Sequence, residues 1–222
     1  VGEQALVLGA SGLVGSELVR QLAADPAYSG ITALIRKPLP FTHEKVEQVL
    51  VDFDHLERYA SSFAVDTVYC CLGTTIRKAG SQEAFRKVDL EYPVTAARLA
   101  LAAGVKHYAV ISSLGADEKS MFFYSRVKGE LERALGEIGL PSLSIIRPSL
   151  LLGNRQERRT GEQAAAAASR ALSFIWSGPL KKYQPVEAGL VAAAMRGAVR
   201  QGTPGAFIYH SAELSRLAAV LP

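Results

Sequence analysis

Between Ala5 and Arg20 the chain reads Ala-Leu-Val-Leu-Gly-Ala-Ser-Gly-Leu-Val-Gly-Ser-Glu-Leu-Val-Arg, and few folds accommodate such a stretch. Ala5 to Leu8 form a continuous apolar run, as expected of a strand buried on both faces of a parallel sheet. Glycines follow at 9, 12 and 15, while Leu13, Val14, Leu18, Val19 and Leu22 recur with helical spacing. Gly9 permits a tight turn, Gly12 a close backbone approach to phosphates, and Gly15 close packing of helix on strand. A strand that turns through glycines into a helix directs free N–H groups and the helix's positive end at one spot. A pyrophosphate suits that spot. The spacing alone also fits a ligand-free turn, but its place directly after an N-terminal strand favours a nucleotide.

The same pattern repeats downstream. Strands are expected at Ile31–Ile35, Val46–Val51, Thr67–Leu72, His107–Ile111 and Leu143–Ile146. Between them lie a short helix at Leu56–Phe63, a helix capped by Ser81, and one opened by Pro93 and stopped by Gly104. A further helix spans Met121–Ile138. Six strand–helix alternations mean βαβ units: an α/β, Rossmann-type, doubly wound parallel sheet in a single domain spanning residues 1–222. Residues 151–222 are expected to finish the sheet edge and supply a small C-terminal substrate cap. They comprise a charged loop with Arg155, Arg158 and Arg159, a helix at Glu162–Trp176 containing Ala164–Ala168, and another at Pro185–Arg200. A last strand at Phe207–Tyr209 and a helix capped by Ser211 and running to Leu221 complete the chain. Phe174 and Trp176 are expected to pack the cap.

With 49% hydrophobic and 21% charged residues the chain can bury a sizeable core. The net charge of +4 is mild and no basic run of nucleic-acid-arm length occurs, so no nucleic-acid partner is expected. The only cysteines, Cys70 and Cys71, are adjacent; on a strand they point to opposite faces and cannot easily bridge. Both read as strand residues, with Cys71 the candidate for redox sensitivity. His43, His55, His107 and His210 show no ligand spacing, so no metal is expected. The first strand begins within a few residues, leaving no room for a signal peptide, and no apolar run spans a membrane. A reducing, cytoplasmic setting without membrane attachment is the expectation.

In such sheets ligands bind at the carboxyl ends of the strands, where strand order reverses. At the end of the second strand, Arg36 and Lys37 stand where an acidic residue would bond the ribose of NAD. Two cations there favour NADP(H) and its 2′-phosphate over NAD(H), the alternative being a solvated turn. Asp52 and Phe53 end the third strand and are candidates to contact the adenine, though Asp52 also reads as a polar turn residue. In Tyr124-Ser125-Arg126-Val127-Lys128, Tyr124 and Lys128 lie one helical turn apart on the same face. A phenol ordinarily holds its proton to pH ~10. An ammonium about 4 Å away would stabilise the phenolate by up to ~4 kcal/mol at an effective dielectric of about 20, making a proton donor of Tyr124. Ser112 or Ser113, ending the preceding strand, is placed to polarise a substrate carbonyl.

Taken together, these residues resemble the short-chain dehydrogenase/reductase superfamily in its extended or atypical branch, and more narrowly the Tat-interacting-protein oxidoreductases. The resembling stretches are Leu8-Gly-Ala-Ser-Gly12, Val51-Asp-Phe53, Cys70-Cys-Leu-Gly-Thr-Thr75 with Lys78-Ala-Gly80, and Ser112-Ser113 with Gly115-Ala-Asp117. Val127-Lys-Gly-Glu130, Arg147-Pro148 and Arg155-Gln-Glu157 complete the set. The resemblance implies NADPH held by Gly9, Ser11, Gly12, Leu13, Val14 and Gly15, with Arg36 and Lys37 at the 2′-phosphate. It implies Asp52 and Phe53 flanking the adenine, and Leu72, Gly73 and Thr74 along the nicotinamide-side ribose. Tyr124 would donate the proton, Lys128 would assist it and hold the ribose, and Arg147 and Pro148 would sit beside the nicotinamide. Ser113 stands closer to Tyr124 in sequence than in many superfamily enzymes, and it is favoured slightly over Ser112.

The expected activity is NADPH-dependent reduction of a small carbonyl compound. The rivals are a non-catalytic NADPH-sensing regulator with a protein partner and a nucleotide-sugar epimerase-like enzyme. The regulator would need no proton donor, and the epimerase would need more chain after Leu151. A homodimer through surface helices is a family-level expectation.

Overall fold

The structure is a computed structural model that describes residues 2–152 and 184–220. Seven strands form one wholly parallel sheet: β1 (Glu3–Leu8), β2 (Tyr28–Ile35), β3 (Val46–Leu50), β4 (Thr67–Cys70), β5 (His107–Ile111), β6 (Ser142–Arg147) and β9 (Gly205–His210). Their order is β3-β2-β1-β4-β5-β6-β9, so the winding reverses between β1 and β4. This is the Rossmann-type arrangement. Two short strands, β7 (Leu151–Leu152) and β8 (Val186–Glu187), pair with each other outside it.

The apolar run of β1 explains its central place. Ala5 and Val7 face a core layer built with Val14, Leu18, Val19 and Leu22 of α1 (Leu13–Ala24). Leu6 and Leu8 face the opposite layer, with Ala96, Ala97 and Ala100 of α4 (Tyr92–Ala102) and Leu131 and Leu135 of α5 (Phe123–Gly136). A strand clothed on both sides needs apolar residues at every position, and all four are fully buried. The first layer is completed by α6 (Ala188–Gln201) and α7 (Leu214–Ala218), where α6 fits the expected helix and β9 the expected last strand.

Several local expectations are corrected. The fourth strand stops at Cys70, two residues early. The short helix is a kinked 3-10 stretch over Phe53–Phe63. Pro93 stands in the first turn of α4 as expected, and Gly104 follows its end, but the chain enters that helix without a break. Ser81 caps α3 (Gln82–Arg86), with α2 (Ile76–Ala79) before it, and the path continues through a π turn at Lys87–Glu91 directly into α4. Proline lacks an N–H, and the wider turn, closed by the Tyr92 N–H on the Lys87 carbonyl, absorbs the missing bond. Ser211 does not cap the last helix, because its hydroxyl bonds to Ser149 Oγ. Glu213 instead accepts from the His210 N–H. The Arg155–Arg159 loop, the Arg155-Gln-Glu157 stretch, the helix at Glu162–Trp176 with Ala164–Ala168 and Phe174, and Leu221 lie outside the described residues. So does most of the expected cap.

At the far edge of α1, Asp25 accepts from the Ala27 N–H at 2.9 Å and pairs with Arg196 at 2.5 Å and Arg200 at 3.3 Å, pinning α1 to α6. Burial pushes the Asp25 carboxyl upward, but the Ala27 N–H and Arg196 outweigh it and hold it below the ordinary aspartate value. A depressed folded value contributes stability above the unfolded value and loses it as pH falls through the folded one. Asp25→Asn is expected to cost about 2–3 kcal/mol at pH 7, below the ~3–5 kcal/mol of a fully enclosed pair because Arg200 is partly exposed. In urea unfolding the gap between wild type and variant should narrow as pH drops below the range of a free aspartate. A gap constant with pH would contradict the assignment.

Candidate active site

The glycine turn forms as its composition requires. Gly9 adopts φ +81°, and a Cβ there would stand 2.6 Å from the Cys71 carbonyl carbon and oxygen. The turn after β1 is thus laid against the strand end of β4, at the point where strand order reverses. The Gly12 N–H closes onto the Gly9 carbonyl at 2.9 Å, and the start of α1 has no side-chain cap. The first N–H groups of α1, at Leu13, Val14 and Gly15, therefore have no side chain to answer them, with Ser11 and Gly12 exposed beside them. This is the cradle a pyrophosphate fits.

Arg36 and Lys37 are exposed where β2 ends, and neither makes an ion pair among the described residues. Asp52 is exposed too, and its carboxylate accepts from the Asp54 N–H to start the 3-10 stretch. Phe53 is buried against Tyr92, with ring centroids 5.7 Å apart. The Tyr92 hydroxyl donates to Asp54 at 2.8 Å; burial first, then that carboxylate, pushes its pKa up to about 12. After β4, Leu72, Gly73 and Thr74 form the loop facing the turn. Cys71 directs its sulfur at Met195 Sδ, 3.9 Å away. Burial pushes both the Cys70 and Cys71 thiols up, which favours their protonated forms.

Tyr124 lies in the first turn of α5 and remains 39% exposed, its ring 5.7 Å from Phe85 and its hydroxyl without a hydrogen bond among the described residues. Lys128, one turn later, differs from expectation. Its ammonium is buried and also pairs with Asp89, at 2.7 Å, a partner the sequence reading did not name. Burial pushes the Lys128 ammonium down, but the Asp89 carboxylate, then Tyr124, raise it above the ordinary lysine value. The second Asp89 oxygen accepts the Thr74 N–H at 2.8 Å.

The two serines at the end of β5 part company. Ser112 is buried and donates to Glu132 at 2.5 Å, while Ser113 is half-buried with its hydroxyl unpartnered among the described residues. Glu132 also takes both arms of the Arg147 guanidinium, at 2.9 and 2.5 Å. The Arg147 side chain therefore ties β6 to α5, with the Glu132 hydrogen bonds raising its pKa. Pro148 is buried and its carbonyl accepts from the Leu114 N–H.

Two residues escape the sequence reading. Glu132 was within reach, since it lies four residues beyond Lys128 on the stripe that selected Tyr124. Asp89 shows only as an acid between Val88 and Leu90. Cavities of about 330 Å³ beside Leu13 and Glu187 and about 480 Å³ between α4 and α5 lie away from Tyr124.

A parallel sheet with a glycine turn at its switch point and an uncapped helix start defines a dinucleotide-binding protein. Residues 9–171 match the NAD(P)H-binding family, and the chain belongs to it. Protein HTATIP2 of Rattus norvegicus is 42% identical over 175 residues, 77% of this chain and 72% of that one. Protein FMP52, mitochondrial, of Candida albicans is 32% identical over 193 residues, 84% of each. The solved structure of MoeE5 in complex with UDP-glucose and NAD shares the fold, with a TM-score of 0.71 at 16% identity over 98% of this chain and 81% of that one. The resemblance to Tat-interacting-protein oxidoreductases stands on these matches, as does an NAD(P)(H) cofactor. The expectation of a cytoplasmic protein is corrected, because the fungal relatives are named mitochondrial. Among the described residues no helix is long and apolar enough to cross a membrane.

Proposed function

We propose that the chain is an NADPH-dependent reductase of a small carbonyl compound, with Tyr124 as proton donor. The observation that supports this best is a pair of hydroxyls without a partner among the described residues, Ser113 and Tyr124, at the same end of the sheet as the glycine turn. Their neighbours Ser112 and Lys128 are held by carboxylates. The turn from Gly9 to Gly15 holds the pyrophosphate, Arg36 and Lys37 the 2′-phosphate, and Asp52 and Phe53 border the adenine. Leu72, Gly73, Thr74 and Lys128 border the nicotinamide-side ribose. The bound cofactor supplies a hydride to the carbonyl carbon. The Ser113 hydroxyl donates to the carbonyl oxygen and orients it, and Tyr124 gives that oxygen its proton, leaving an alcohol. The fungal names support a mitochondrial setting.

Titration of NADPH and NADH into wild type and Arg36→Ala tests the cofactor half. NADPH should bind at least ~10-fold more tightly to wild type, and the variant should lose that preference. Tyr124→Phe should then lower kcat on a carbonyl panel by about 10²–10⁴-fold with NADPH affinity unchanged. NADPH binding with no carbonyl turned over would favour the sensing regulator, and a co-purified UDP-sugar the epimerase-like enzyme.

A further inference from the structure

Three large apolar side chains stand out from the described surface: Met121 is 94% exposed, Phe122 79% and Leu150 69%, each more than any other large hydrophobic residue described. Apolar residues exposed singly are ordinary on a protein surface, whereas a group gathered in one place marks a site of contact. These three are gathered. Met121 and Phe122 immediately precede α5, whose first turn carries Tyr124. Leu150 follows the carboxyl end of β6, in the segment whose Pro148 carbonyl accepts the N–H of Leu114, the neighbour of Ser113. The two loops leave adjacent strands, β5 and β6, and carry or adjoin both hydroxyls that lack a partner among the described residues.

The turn that displays Met121 and Phe122 is tied down. Arg126 of α5 donates to the Ser120 carbonyl at 2.9 Å and to the Met121 carbonyl at 3.4 Å. The Ser120 hydroxyl accepts the Phe122 N–H at 3.2 Å, and the Asp117 carbonyl accepts the Ser120 N–H at 3.0 Å. The backbone polar groups are thus answered within the turn, and Met121 and Phe122 offer a thioether and a phenyl ring outward. Neither supplies a donor, and a thioether is a weak acceptor, so the pair suits neither a phosphate nor the hydroxyls of a sugar. We propose that Met121, Phe122 and Leu150 form an apolar lip that receives the non-reacting part of the substrate, so that the carbonyl compound carries an alkyl or arylalkyl chain. This rests on the reductase reading and deepens it by naming the substrate class and the residues that select it. Continuity with Ser113 and Tyr124 assigns the lip to the substrate, because a carbonyl bonded to both hydroxyls lies between the loops that carry it. The flexible Met121 side chain suits chains of differing shape.

The test is kcat/KM at saturating NADPH over straight-chain aldehydes from propanal to decanal. Each methylene that reaches the lip should raise it about two- to fourfold. Met121→Ser/Phe122→Ser should flatten that rise, lowering the decanal-to-propanal ratio about tenfold or more, with the loss appearing in KM and NADPH affinity unchanged. Both positions are exposed, and serine is a favoured residue at the N-cap of α5, which Phe122 occupies, so the double variant should fold. Phe122→Leu keeps an apolar group and should keep most of the rise. Leu101→Ser, which removes an exposed apolar side chain from α4, should keep all of it. Turnover that ignores chain length, or a rise that the double variant leaves intact, overturns the proposal while the reductase reading stands. A dimer that the double variant dissolves, or vesicle binding that it abolishes, with the aldehyde series unchanged, gives the surface to a second copy or to a bilayer and overturns it too. No turnover at any length removes the reductase reading and this inference together.

Discussion

Lys128→Met should lower stability by about 3–5 kcal/mol, one of the largest effects available to a single substitution in this chain, because it strands the Asp89 carboxylate in the interior. The surroundings leave that charge little relief. Asp89 is 1% exposed, and once the ammonium is gone its remaining described partner is the Thr74 N–H. Adding Asp89→Asn to Lys128→Met should recover most of the loss, since two neutral groups replace two charges and the Thr74 N–H keeps an acceptor. The pair holds across the physiological range. A lysine raised above its ordinary value stabilises fully below its unfolded pKa, and that contribution goes only as pH rises through the folded one. Chemical denaturation at pH 7 of the two single variants and the double gives the coupling directly. Additive losses would mean that the two side chains do not act as a pair.

The difference between Asp89 and the residues around it shows where sequence ceases to be informative. Strand positions such as Ala5–Leu8 and the stripe Val14, Leu18, Leu22 are legible because burial imposes a period that each residue obeys locally. Tyr124 and Lys128 are legible for the same reason, since one turn of helix fixes their relation. The partner of Lys128 is set by a non-local pairing and by a π turn. That turn shifts the helical phase by a residue, so the period that would have placed Asp89 on the inner face is broken where it is needed. Pro93 does mark the first turn of α4, but it gives no sign that a π turn joins that helix to the one before it. Ser211 shows the limit of capping rules, because a hydroxyl that meets another hydroxyl from a distant loop is no longer offered to its own helix. Ser112 and Ser113 are chemically identical in the sequence, and only the position of Glu132 separates a tethered hydroxyl from an available one.

Gly9→Ala should damage both fold and cofactor binding, whereas Gly136→Ala should be neutral or slightly stabilising. At Gly9 two penalties combine. The φ of +81° costs an L-residue about 1–2 kcal/mol, and the added Cβ meets the Cys71 carbonyl group, where crowding typically costs a further ~1–3 kcal/mol. The obstruction is backbone belonging to β4's end, so it cannot swing aside as a side chain would. Relief requires the turn to back away from β4, which moves the N–H groups of Leu13, Val14 and Gly15 off the pyrophosphate. Gly15→Ala should act similarly, since its Cβ would strike the Gly9 carbonyl oxygen from the helix side. Gly136, at the end of α5, has nothing within 4 Å of an added Cβ, and alanine gains about 0.5–1 kcal/mol over glycine in a helix interior. Thermal melts of the three variants, each with and without the same excess of NADPH, separate the two effects: a ligand that binds only the folded state raises the melting temperature by an amount that grows with the logarithm of its affinity. Gly9→Ala and Gly15→Ala should melt early and lose most of the NADPH-induced rise, while Gly136→Ala keeps the full rise. If Gly9→Ala melts low but retains that rise, the turn is a structural feature only, and the pyrophosphate must be bound elsewhere on the strand ends.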